Sequence, residues 1–247
     1  MFITVTGGSG SGKSAFAEKC ALLLAHGDAA PLPEDKSYGD ITGKESGPAL
    51  FLSAEAGKTA EEPGPGNPVY LATMNPAGRE GRMRVQRHRA MRRGKGFCTI
   101  ERQRQLTGIS REKILGRTVL VEDLSNLIAN ELFSGEDPDG GAWQGPGDPG
   151  DGAFLSEKTE RACREIREGI AFLRSQAGHL ILVMNEIFSD GIRYDPQTDQ
   201  FLRAAGLLSR DFVSLADLSY EVVFGIPLAL KKEGEAARKL AERLRKV

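Results

Sequence analysis

The sequence is short of cysteine, of net charge and of long apolar runs. Cys20, Cys98 and Cys163 are its only cysteines. An odd number of thiols with no metal-like spacing suits a reducing cytosol and excludes a disulfide framework. The formal net charge is −1 at pH 7, which argues against a chain that binds nucleic acid through its overall charge. No apolar run approaches the length of a membrane span. The N-terminus has neither the basic n-region nor the long apolar h-region of a signal peptide. These absences predict a soluble, cytoplasmic protein.

What is present is ordinary in bulk and specific in pattern. Of 247 residues, 40% are hydrophobic and 27% charged, usual for a globular protein able to bury a substantial core. The strand MFITVT runs into the glycine-rich turn GGSGSGKS and then the helix AFAEKCALLLA, with Gly27 as a stop signal. PVYLAT reads as a buried strand and an arginine-rich helix follows it. A linker rich in Arg and Lys leads to the strand TVLVEDL and the helix SNLIANELF. A long helix from about Ser156 to Gln176 precedes the strand HLILVMNE. A helix near 198–217, the strand YEVVFGIP and the charged helix GEAARKLAERLRKV complete the chain.

Two stretches break this rhythm. Residues 28–68 and 134–153 are rich in Gly, Pro and acidic residues, without helical or strand periodicity apart from ALFLSA. They read as insertions into one nucleotide-binding domain spanning 1–247. Short apolar strands alternating with helices predict an α/β fold with a mainly parallel sheet flanked by helices. Ligands of such folds bind at the carboxyl ends of the strands.

Gly7, Gly8, Ser9, Gly10, Ser11, Gly12, Lys13 and Ser14 fit G-x-x-x-x-G-K-[ST] in full, between a strand and a helix as the motif requires. Glycines let backbone N–H groups turn inward around phosphate oxygens, and the helix N-terminus adds its positive dipole. Lys13 can reach the β- and γ-phosphates, and the Ser14 hydroxyl can ligate Mg²⁺. The motif therefore predicts a P-loop NTPase-like fold and a nucleoside triphosphate site. A carboxylate for Mg²⁺ is expected at the end of a neighbouring strand. TVLVEDL offers Glu122 and Asp123, and strand alternation turns only one of them to the phosphates.

Residues 82–93 read RMRVQRHRAMRR, six arginines around His88. By composition alone this is a solvated basic face or a nucleic-acid patch. No set of aromatic residues for base stacking accompanies it.

The ordered set VTGGSGSGKSAFAE, VYLAT, RMRVQRHRAMR, VLVEDLSNLIANELF, LVMNE and DLSYEVVFGIPLALK resembles the bifunctional adenosylcobinamide kinase / adenosylcobinamide-phosphate guanylyltransferase family of cobalamin biosynthesis. The resemblance misses the two insertions. It implies phosphorylation of the aminopropanol hydroxyl of adenosylcobinamide by ATP or GTP with Mg²⁺. It also implies transfer of GMP from GTP to that phosphate through a guanylyl-histidine, giving adenosylcobinamide-GDP. In the family pattern R-x-x-x-H-R-x-x-R the nucleophile falls on His88, with Arg84, Arg89 and Arg92 around it. Chemistry agrees: nearby guanidinium groups disfavour protonated histidine and stabilise charge on a transferring phosphoryl group. One helical turn separates His88 from Arg84 and Arg92.

The resemblance further implies that Thr73 lines the nucleotide pocket, that Glu101 contacts guanosine, and that Asn185-Glu186 matches a family N-E pair. Glu122 would share Mg²⁺ with Ser14, at a position where the family usually has aspartate. Arg87 stands where a second histidine is common, Ser209 replaces a common asparagine, and Glu221 interrupts the last apolar strand. His26 and His179 read as structural. A homo-oligomer is implied, in particular a trimer, with no nucleic-acid partner and no membrane span. Other readings are a kinase-only or transferase-only variant and a regulatory NTP-binding switch. A switch would need no phosphate-accepting nucleophile.

Overall fold

The structure, a computed structural model, describes residues 1–27, 64, 66–75, 83, 85–86, 95–133, 155–188, 191–192 and 194–245. Its strands are β1 (Phe2–Thr6), β2 (Val69–Ala72), β3 (Cys98–Glu101), β4 (Thr118–Glu122), β5 (His179–Val183), β6 (Leu218–Val223) and β7 (Ile226–Lys232). They form one sheet in the order β3-β2-β4-β5-β1-β6-β7. All neighbours pair parallel except β6 with β7. The helices described from end to end are α1 (Lys13–His26), α2 (Leu124–Phe133), α3 (Glu157–Gln176), α4 (Pro196–Leu215) and α5 (Gly234–Arg245), with two short 3-10 turns at Leu106–Gly108 and Arg111–Lys113.

Side-chain alternation along the strands divides the core into two layers. Phe2, Val69, Leu71, Val119, Val121, Leu180 and Leu182 pack with α2, α3 and α4 on one face. Ile3, Val5, Tyr70, Leu120, Ile181 and Val183 pack with α1 and α5 on the other. Helices on both faces of a mainly parallel sheet are the α/β architecture expected above. Of α3, the buried residues include Ala162, Cys163, Ile166, Gly169, Ile170 and Leu173, a single stripe at helical spacing. Gly169 lets the chain at Leu106 approach, because a Cβ there would lie 2.9 Å from the Leu106 side chain.

Three expectations need correction. The stretch YEVVFGIP is not one strand: it is the turn of a β6–β7 hairpin, with Val223 paired to Ile226 across Phe224-Gly225. Phe224 and Gly225 have φ of 49° and 79°, the left-handed pair of a type I′ turn. Glu221 consequently lies in β6, opposite Leu228, and not in the last strand. The basic linker before β4 contains the edge strand β3, whose four residues were too few to show a period. Helix α4 starts at Pro196, two residues earlier than foreseen, because Asp195 caps it and proline suits the first turn.

Of the segment 82–93, only Met83, Val85 and Gln86 are described, and all three are helical. His88, Arg84, Arg87, Arg89 and Arg92 lie outside the described residues, as do 134–153 and all of 28–63.

Candidate nucleotide site

At the carboxyl edge of the sheet, β1 hands over to α1 through Gly7–Ser14. The tightness of this loop comes from its neighbours. A Cβ on Gly7 would lie 2.6 Å from the Val222 carbonyl oxygen, and one on Gly12 would lie 3.2 Å from Gly225 Cα. Gly12 also has φ of 90°, a region that favours glycine. Ser11 N donates to the Gly8 carbonyl at 3.2 Å, and Gly225 N donates to the Ser11 carbonyl at 2.8 Å. The β6–β7 turn is thus fastened to the loop, a contact invisible in the sequence pattern.

Lys13 is buried, with 7% of its surface exposed, and its Nζ donates to the Gly8 carbonyl at 3.1 Å. The ammonium is therefore held back over the loop, where a phosphate would meet it. Helix α1 begins without a side-chain cap and with no acidic residue in its first turn. Its first N–H groups and dipole remain available to an anion.

Glu122 ends β4 and Asp123 lies just beyond it, and the two side chains part company. Ser14 Oγ donates to Glu122 Oε1 at 2.5 Å, whereas Asp123 turns to α2 and β5. Asp123 Oδ1 accepts from Asn126 N at 2.8 Å and Oδ2 from Asn185 Nδ2 at 3.1 Å. Both oxygens of Asp123 are therefore occupied, and it caps α2. Among the described residues, Glu122 Oε2 and Ser11 Oγ are buried without a hydrogen-bond partner. Burial pushes the Glu122 carboxyl up to about 8; the Ser14 hydrogen bond opposes this and the Asp123 charge adds to it. Burial likewise raises Asp123 above the usual carboxylate range, against the hydrogen bonds from Asn126 and Asn185.

An orphaned buried carboxylate oxygen beside the phosphate-loop hydroxyl is a donor set that fits Mg²⁺. No cluster of three His, Cys, Asp or Glu among the described residues could hold a metal alone. An ion at Ser14 and Glu122 would draw its other ligands from phosphates and water, as Mg²⁺ ordinarily does.

Thr73 turns its hydroxyl to the end of β4. It is fully buried. Its Oγ1 donates to the Glu122 carbonyl at 2.7 Å and accepts from Asp123 N at 2.7 Å. Its effect on the site is to fix the end of β4, and with it Glu122. Asn130 Nδ2 donates to the Thr73 carbonyl at 2.8 Å and supports the same corner from α2. Asn185 bridges Asp123 and Ser125, and Glu186 N donates to the Gly7 carbonyl at 3.0 Å. The Asn-Glu pair therefore borders the phosphate loop.

Glu101 is not brought to this loop. It ends the edge strand β3, separated from β1 by β2, β4 and β5. Four strand spacings amount to roughly 19 Å. His179 lies at the opposite edge of the sheet, beside the N-terminal amine, and His26 is exposed in the last turn of α1. Neither is near the loop. Lys95, where the description resumes after the arginine-rich segment, pairs with Glu18 of α1.

The residues that sequence reasoning missed are Asn130, Phe224 and Gly225. The first gives no local signal. The Phe-Gly pair between two apolar runs was a hairpin signal, hidden because phenylalanine is rare where φ is positive.

No curated protein matches this chain. The KaiC-like protein PH0186 from hyperthermophilic archaea (Pyrococcus horikoshii OT3) is 11% identical, over 89% of this chain and 69% of that one, with a TM-score of 0.37. A family profile described as cobinamide kinase / cobinamide phosphate guanyltransferase matches residues 43–230. With the motifs that match in order along the sequence, the chain belongs to the cobinamide kinase / cobinamide phosphate guanyltransferase family.

Proposed function

We propose that this protein phosphorylates adenosylcobinamide and then guanylylates the product. The observation that carries the kinase half is the contact between Ser14 Oγ and Glu122 Oε1 at the end of a complete phosphate loop. In that step the loop amides and Lys13 hold the β- and γ-phosphates of ATP or GTP. The aminopropanol hydroxyl attacks the γ-phosphorus and gives up its proton to solvent, the bond to the β,γ-bridging oxygen breaks, and a nucleoside diphosphate leaves. Mg²⁺ held by Ser14 and Glu122 supplies neutralisation of phosphate charge. Lys13 stabilises the same charge from the protein side.

The guanylyltransferase half rests on the family and on RMRVQRHRAMRR. A ring nitrogen of neutral His88 attacks the α-phosphorus of GTP and pyrophosphate leaves. A phosphate oxygen of adenosylcobinamide phosphate then attacks the same phosphorus, releasing His88 and forming adenosylcobinamide-GDP. Arg84, Arg89 and Arg92 disfavour the imidazolium and balance charge on the phosphoryl oxygens. Glu101, at the end of β3, contacts guanosine in this step.

Incubation with α-labelled GTP and Mg²⁺ tests the assignment. Acid-labile label is expected on the wild-type protein and none on His88→Ala. Equal labelling of the variant would remove His88 from the mechanism.

A further inference from the structure

We propose that Phe224, in the β6–β7 turn, is the stacking platform for the base of the nucleotide held by the phosphate loop. The inference rests on the phosphate-loop reading above and deepens it by naming the residue that meets the nucleoside end.

Three observations converge on this residue. Phe224 is 86% exposed, and it occupies a turn position with φ of 49° that asparagine or glycine would adopt more readily. Exposure alone would mean little. The turn, however, is bonded to the loop: Gly225 N donates to the Ser11 carbonyl, and Gly225 Cα lies against Gly12. The ring is therefore carried by a backbone in register with the phosphates.

Direction follows from the sheet order. Ser14 and Glu122 mark where Mg²⁺ and the β- and γ-phosphates belong. Glu122 ends β4, on one side of β1, while the β6–β7 turn stands on the other. A triphosphate with its terminal end toward Glu122 extends its nucleoside toward β6 and β7. An aromatic face there accepts the π-face of a base, favours purines by stacking area, and accepts both adenine and guanine. Ile226, Leu228 and Leu230 are also exposed along β7. They form a strand-face stripe suited to protein contact, whereas Phe224 precedes that strand and belongs to the turn.

The test is calorimetric titration of the full-length protein with ATP, GTP and inorganic tripolyphosphate in the presence of Mg²⁺. The variants are Phe224→Asn, which keeps a favoured type I′ turn without the ring, and Phe224→Tyr, which keeps the ring. Phe224→Asn is expected to weaken ATP and GTP roughly 5- to 150-fold, with Phe224→Tyr within about twofold of wild type. Tripolyphosphate affinity should not change in either. Unchanged ATP and GTP affinity in Phe224→Asn would overturn the platform while leaving the phosphate loop intact. Equal loss of nucleotide and tripolyphosphate would overturn it by tracing the effect to loop geometry. A change of oligomeric state without a nucleotide effect would place Phe224 in a subunit contact instead. Wild-type protein that binds neither nucleotide nor tripolyphosphate would defeat the phosphate-loop reading, and the platform with it.

Discussion

The N-terminus of α1 and those of α3 and α4 meet the same physical problem and resolve it in opposite ways. Each helix begins with N–H groups that have no partner within the helix. Helix α3 covers its own with Ser156, whose Oγ accepts from Thr159 N at 3.2 Å, and adds Glu157 and Glu160 in the first turn. Helix α4 uses Asp195, which accepts from Gln197 N and Thr198 N at 3.0 and 3.1 Å, followed by Pro196. Helix α1 has Gly12 at that position, no side-chain cap and no acidic residue in its first turn. The two capped helices gain stability locally. The uncapped one keeps its amides and dipole for a ligand, and the buried Glu122 oxygen beside it, without a partner among the described residues, makes the same point.

The largest effect that would sharpen this contrast is expected from Lys13→Ala. Kinase turnover with adenosylcobinamide should fall by at least about 100-fold, since the variant removes a cation aimed at the transferring phosphate. Near-normal phosphorylation by that variant would contradict the role given to the loop.

A smaller, pH-dependent effect is expected from Glu122. Its carboxyl is raised to about 8 by burial, so between an ordinary carboxylate pKa and 8 the folded state binds more protons than the unfolded one. Stability of the protein without metal should therefore decline as pH rises through that window. Glu122→Gln should remove most of this slope in unfolding curves recorded from about pH 5 to about pH 9. An identical slope in both proteins would show that the strain of the site lies elsewhere.

The smallest effects belong to the capped helices. Ser156→Ala should lower the unfolding free energy by about 1 kcal/mol, Asp195→Ala should lower it as well, and both should leave nucleotide affinity as it was. Loss of nucleotide binding in either variant would erase the distinction between structural and ligand-ready helix ends.

Much of this was legible in the sequence because it is local. The phosphate loop is a short run whose glycines, lysine and serine act within a few residues of each other. The strands β1, β2, β4 and β5 declare themselves because burial on both faces demands continuous apolar residues. The Phe224-Gly225 turn was misread because its first residue defies the usual turn preference. Strand β3 went unnoticed because four residues give no period to read.

The choice between Glu122 and Asp123 shows where local reading stops. Adjacent carboxylates at a strand end are alike in sequence, yet one meets Ser14 and the other meets Asn126 and Asn185. The sequence places Thr73 at the strand end, but not its bond to β4, which its hydroxyl makes across 49 residues of chain.

By itself the sequence determined the fold class, the nucleotide loop and the order of family motifs, because propensity, burial pattern and backbone freedom act over neighbouring residues. Only the tertiary structure decided which carboxylate meets Ser14, what Thr73 holds, and that Gly225, in a turn near the far end of the chain, bonds to Ser11 and packs on Gly12. Those outcomes depend on strand order and on packing between distant segments, and no run of neighbouring residues encodes them.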